Sequence, residues 1–169
     1  YFESGRISRF QSMYYTGEAL LALLTLYKIT REEHWLDAVR EIESELALED
    51  YGVQEQSHWM LYSLELLSQF EPSPLYFQHA EKIILHILDH PQYLSWERST
   101  PIACRSEGML AFLRMKSPET VNNTIRERCI RQVQYNLAKQ LTFRLPDGSF
   151  IRGGNDRRHD EVRIDYIQH

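Results

Sequence analysis

The chain has 169 residues, a formal net charge of −5 and two cysteines. One domain of this length buries roughly 70% of its unfolded surface, so neither a disulfide nor a metal is needed to hold a core. The apolar share of 43% excludes wholesale disorder, seven glycines and six prolines argue against a turn-rich all-β fold, and the acidic balance argues against the basic face of a nucleic-acid binder.

Capping residues and apolar periodicity predict helices at about 17–29, 31–48, 55–70, 74–89, 101–115 and 118–142. Helix one, Ala19 to Tyr27, is apolar all round and contains the longest apolar run. It falls short of the roughly 18 residues of a membrane span. Thr30 and Glu33 form a capping box that opens helix two. That helix carries a narrow stripe of Trp35, Val39, Ile42 and Leu46. Helix three is again rich all round, from Trp59 to Phe70. Ser73-Pro74, Thr100-Pro101 and Ser117-Pro118 each place a capping hydroxyl before a proline at the first helical position. Helix four has one apolar face (Leu75, Ala80, Ile83, Ile84, Ile87), helix five is apolar from Met109 to Leu113, and helix six sets Val121, Ile125, Val133, Leu137 and Leu141 against many charges. Leu145-Pro146-Asp147-Gly148 predicts a turn within a short β-like piece at about 143–152. A charged loop, Asn155 to Glu161, then leads toward a seventh helix.

A helix apolar all round needs cover on every side, whereas a single stripe belongs at a surface. The order is therefore buried, surface, buried, surface, buried, surface. The expected fold is all-α, with helical hairpins in two layers. The chain begins at Tyr1 without a signal-peptide pattern and stops at His169 just inside an apolar-periodic segment. Residues 1–169 thus read as a single domain excerpted from a longer, cytoplasmic protein. Cys104 and Cys129 lack metal-type spacing and read as small buried hydrophobes in a reducing compartment.

The stretch Tyr14-Tyr15-Thr16-Gly17-Glu18-Ala19-Leu20-Leu21-Ala22-Leu23, followed by Leu26-Tyr27 and Trp35-Leu36-Asp37-Ala38, resembles a hairpin of the six-hairpin glycosidase superfamily. His58-Trp59 and Arg105-Ser106-Glu107-Gly108 open segments of similar layout. That superfamily includes glycoside hydrolases, unsaturated glucuronyl hydrolases and N-acylglucosamine epimerases. The resemblance implies a partial (α/α)6 toroid of three hairpins and the start of a fourth. It carries over no catalytic residue. A lanthionine-synthetase-like or terpenoid-cyclase-like toroid lacks support, because neither a cysteine–histidine zinc motif nor an Asp-rich motif is visible.

In a toroid the ligand meets the starts of the inner helices. The residues there are Tyr14, Tyr15 and Glu18; Gln54, Gln56, His58 and Trp59; Arg105 and Glu107; and Arg163, Asp165, Tyr166 and His169. Glu18, Glu107 and Asp165 are candidate paired carboxylates, which helix N-termini keep ionised and suited to act as base or nucleophile. His58 is a candidate acid–base group beside the stacking platform of Trp59. Tyr14, Tyr15, Gln56, Trp59, Arg105, Arg157, Arg163 and His169 are candidate substrate contacts, the arginines suiting an anionic sugar. Each of these acids and bases has a plainer role available, in helix capping or local salt bridges. His79, His86 and His90 fall near one face of helix four, yet no metal is expected because no glutamate accompanies them in the zincin position. No cofactor is expected either. The expected ligand is a small molecule or oligosaccharide, and the expected macromolecular partner is a second copy or the remainder of a longer chain, which would cover the exposed flank of the ring. Nucleic acid and membrane are not expected partners. The competing expectation is a non-catalytic helical-repeat interaction module.

Overall fold

The computed structural model describes residues 12–90, 98–116 and 123–151. Its helices are α1 (Tyr15–Thr30), α2 (Glu33–Leu48), α3 (His58–Phe70), α4 (Pro74–Leu88), α5 (Ser99–Arg114) and α6 (Asn123–Leu141). Each hairpin closes on itself, α1 on α2, α3 on α4 and α5 on α6. Odd helices pack along odd helices, α1 on α3 and α3 on α5, while α2 packs on α4 and α4 on α6. The expected all-α fold and its two layers of hairpins are therefore present.

The core lies between the layers. It runs from Leu20 and Leu24 of α1 through Met60, Leu61, Leu64 and Leu67 of α3 to Met109 and Phe112 of α5, with Ala80, Ile83, Ile84 and Ile87 of α4 closing it. Each buried aliphatic side chain of this kind stabilises the fold by about 1.5–3 kcal/mol. Two glycines let the odd helices approach closely. A Cβ on Gly17 would lie 2.7 Å from the backbone carbon of Trp59. A Cβ on Gly108 would lie 2.7 Å from a Leu61 methyl and 3.4 Å from the His58 Cα.

Local signals had mixed outcomes. Ser73 caps α4 as expected, accepting from the Leu75 amide at 3.3 Å with Pro74 in the first turn. The Thr30 capping box does not form. Thr30 ends α1 and returns its hydroxyl to the Leu26 carbonyl, while Glu32 caps α2 without a side-chain bond. Thr100 does not cap α5 either, because that helix already begins at Ser99. Ser117-Pro118, Val121 and the segment from Arg152 onward, seventh helix included, lie outside the described residues. Helix three starts at His58 rather than near 55, because Asp50, Gly52 and Gln56 take left-handed φ angles of 52°, 79° and 54°. Ser57 supplies its cap, accepting from the Met60 amide at 3.3 Å. The β-like piece is reduced to an isolated antiparallel bridge between Arg144 and Phe150 around the Pro146-Asp147-Gly148 turn.

The expectation that helix one is covered on all sides is also corrected. Among the described residues α1 packs chiefly on α2 and α3, and Leu26 is partly exposed and Ile29 is 73% exposed. On α6, Ile130, Leu137 and Leu141 are likewise exposed, while Ile125, Cys129, Val133 and Asn136 face inward. The α2 stripe is rotated from its expected position. Leu36, Val39, Glu43 and Ala47 are buried, and Ile42 is exposed.

Candidate functional site

The close approach at Gly17 and Gly108 draws the beginnings of α1 and α3 and the middle of α5 together. The chain turns into α1 at Tyr14, whose ring meets His58 edge-on with centroids 5.7 Å apart. Tyr62, one helical turn after His58, faces it at 5.6 Å and meets Trp59 at 5.4 Å. From α5, Arg105 donates through Nε to Gln56 Oε1 at 2.7 Å and through Nη1 to the Pro101 carbonyl at 3.2 Å. Glu107 accepts the Tyr62 hydroxyl proton through Oε2. Arg105 and Glu107 sit about two turns into α5 rather than at its start.

The electrostatics follow from this packing. Burial pushes the His58 imidazole down to about 4, and the nearby Arg105 cation adds to the shift. His58 is therefore neutral at neutral pH, a hydrogen-bond acceptor at one ring nitrogen and a donor at the other. Burial, then the bond to Glu107, raise the Tyr62 hydroxyl well above its ordinary value, so it stays a donor. Burial also raises the Cys104 thiol, with Glu107 adding to it, and a protonated thiol is a poor nucleophile.

Of the expected site residues, Tyr14, Gln56, His58, Trp59, Arg105 and Glu107 are thus gathered into one cluster. Tyr15 and Glu18 are exposed on the first turn of α1 beside it. The Glu18 carboxylate makes no hydrogen bond or ion pair with the described residues, whereas Glu107 is engaged by Tyr62. Arg157, Arg163, Asp165 and His169 lie outside the described residues. Sequence reasoning missed Tyr62, although its spacing of four from His58 on one helix face carried the signal.

A second polar constellation was also missed. His79 and Glu43 are each 1% exposed, at the seam between α4 and α2. The His79 Nδ1 lies 2.6 Å from Glu43 Oε1, and its Nε2 lies 2.8 Å from the Tyr51 carbonyl oxygen. The Tyr51 hydroxyl in turn shares a 2.9 Å hydrogen bond with Thr16 on α1. Burial raises the Glu43 carboxyl. Burial alone lowers His79, but the bond and charge of Glu43, the Tyr51 carbonyl and Asp50 outweigh it and raise the imidazole. The pair therefore holds its protons tightly as a unit.

His79 is consequently not part of a histidine face with His86 and His90. Those two line a shallow cleft of about 390 Å³ beside Val53, Lys82, Leu85 and Asp89, on the outer layer. His90 lies beyond the end of α4, yet its ring still meets that of His86 edge-on with centroids 6.4 Å apart. Lys82 is ion-paired with Asp50, and Asp89 with Arg128 at 2.5 Å. No expected site residue lines this cleft. No group of three histidine, cysteine or acidic side chains among the described residues is placed to hold a metal ion. Both cysteines are free thiols; Cys129 is buried, as expected, and Cys104 is half-buried. No helix among the described residues is long and apolar enough to cross a membrane.

Comparison with known proteins finds no matching family model, no matching curated protein and no matching solved structure.

Proposed function

We propose that the cluster at the starts of α1 and α3 binds a carbohydrate-class small molecule, in a hairpin array that forms part of an (α/α)6 toroid. The observation that carries this reading is the gathering of the Tyr14, Trp59 and Tyr62 rings around His58, next to Arg105, Gln56 and Glu107. Sugar recognition combines aromatic surface for C–H faces with amide and carboxylate acceptors for hydroxyls. The guanidinium of Arg105 suits an anionic member of the class, such as a uronate. A neutral His58 enters any hydrolase- or epimerase-like step as a base or acceptor, not as the acid. Glu107, already engaged by Tyr62, serves first as an acceptor.

Saturation-transfer NMR with a panel of neutral sugars, amino sugars and uronates tests this. The expected result is a perturbed Trp59 indole and His58 ring with a uronate, weakened in Arg105→Met. A panel that leaves Trp59 and His58 unperturbed removes the proposal.

One observation favours a second reading, a helical-repeat interaction module or a second copy across the array end. The apolar side chains Leu26 and Ile29 on α1, and Ile130, Leu137 and Leu141 on α6, are exposed at the two ends of the array. Sedimentation that gives a strict monomer at every concentration counts against the second copy.

A further inference from the structure

The connection between α2 and α3 is fastened at one point by a bond that needs a particular proton count. The Tyr51 carbonyl only accepts, so His79 Nε2 must carry a proton to bond it at 2.8 Å. The 2.6 Å bond between His79 Nδ1 and Glu43 Oε1 then needs one more proton, on either the ring nitrogen or the carboxyl. Both bonds together therefore require the pair to be an imidazolium with a carboxylate, or a neutral imidazole with a carboxylic acid. If the pair loses one proton, one bond is replaced by two facing lone pairs, and burial leaves no water to fill in. Glu43 Oε2 has no hydrogen-bond partner among the described residues, which makes an unshared negative charge there costly.

We propose that Glu43 and His79 form a proton latch on the 49–57 connection, closed at neutral and mildly acidic pH and released as pH rises. The connection bends through left-handed residues at Asp50, Gly52 and Gln56, and it delivers Gln56 to Arg105. Releasing the latch thereby loosens one wall of the cluster; that consequence rests on the carbohydrate-site reading, whereas the latch itself does not. The charged groups acting on His79 are Glu43 from α2 and Asp50 from the connection, and Lys82 of α4 holds Asp50. Tyr76, one turn earlier on α4, also faces Glu43. The described residues of α3, α5 and α6 add no charged group to its titration.

Opening exposes both groups to water. Above the ordinary imidazole value of about 6.5 the opened pair is a carboxylate and a neutral ring, one proton fewer than the closed pair. Opening is then linked to the release of one proton and grows by about tenfold per pH unit. Between the ordinary carboxyl value of about 4.3 and about 6.5 the closed and opened forms hold the same count, so opening is flat.

Amide hydrogen exchange of Val53, Gln56 and Ser57 in the whole chain, corrected for intrinsic rates, reads this directly. The expected wild-type protection is flat between about pH 4.5 and 6.5 and falls by up to about tenfold per unit above it. In Glu43→Gln the carboxamide donates to Nδ1 of a neutral ring, so both bonds persist without a labile proton, and the fall in protection above about pH 6.5 disappears. Wild-type protection that stays level through the alkaline range overturns the latch even if the variant does not fold. A Glu43→Gln variant that keeps the wild-type slope overturns it as well. Either failure leaves sugar binding at the cluster untouched, and a failed sugar panel leaves the latch untouched.

Discussion

His58 and His79 sit on adjacent helices, each beside charged partners, and their surroundings push them in opposite directions. His58 has aromatic rings on three sides and a cation nearby, and no carboxylate among the described residues acts to balance its positive form. It is held neutral. His79 is buried even more completely, but it shares a proton with Glu43 and donates to the Tyr51 carbonyl, and the bonded pair keeps its proton. Burial alone therefore predicts neither state. The nearest partner decides, because a fixed acceptor at hydrogen-bond distance outweighs the desolvation that it accompanies. The first histidine is suited to meeting a ligand, the second to fastening the chain.

The sharpest way to break this contrast is to remove the partner from the buried pair. His79→Leu strands the Glu43 carboxyl between α2 and α4, and loss of one member of such a pair costs about 3–5 kcal/mol. Urea unfolding should show that loss, and Glu43→Leu combined with His79→Leu should recover part of it, since a contacting pair is not additive. Gly17→Ala comes next. Its Cβ would meet the Trp59 and Met60 backbone, which cannot turn aside, so α1 must move off α3 at a net cost of about 1–3 kcal/mol. Ring-current shifts at Tyr14 and His58 should collapse in that variant while the His79 signals persist.

The pH dependence of stability separates the two histidines by sign. His58 is depressed in the folded state, so the unfolded chain binds more protons between about 4 and 6.5, and stability falls as pH drops through that window. His79 is raised, so its contribution is complete below about 6.5 and is lost as pH climbs through its folded value. Melting temperatures should therefore decline on both sides of the ordinary imidazole range. His58→Gln should flatten the acid limb and Glu43→Gln the alkaline one; a single variant flattening both would collapse the distinction. The smallest effect is expected from Arg105→Met. Its cation is the lesser cause of the His58 shift, so an NMR titration should move His58 upward only part of the way to about 6.5.

The layers of hairpins were legible in the sequence because the odd and even helices differ in how much of their circumference is apolar. Ser73-Pro74 and the aromatic and charged residues opening helix three and flanking Gly108 carried enough local information to place α4 and most of the cluster. Other features depended on neighbours that a sequence does not show. Thr30 stays in the last turn of α1, so its hydroxyl, which donates to the Leu26 carbonyl, accepts from the Glu32 amide and does not reach that of Glu33. The all-round apolar character of helix one is real, but the described residues supply neighbours for only part of it. Glu43 lies outside the expected stripe of Trp35, Val39, Ile42 and Leu46 on α2, because a carboxylate reads as solvent-facing whatever its phase. Its spacing from Val39 and Ala47 places it in the buried stripe, and only the histidine arriving from α4 makes that tolerable. Glu18 shows the reverse case, a residue at the expected end of its helix whose carboxylate meets no hydrogen-bond partner among the described residues.

The most direct test is a titration of the histidine ring nitrogens of the wild-type chain by two-dimensional nitrogen–proton NMR, with His58→Gln and His79→Gln used for assignment. The account predicts that His58 stays a neutral imidazole down to about 4, while His79 shows both ring nitrogens proton-bonded at neutral pH and titrates above the usual imidazole range. Two histidines that titrate together near about 6.5 would contradict it.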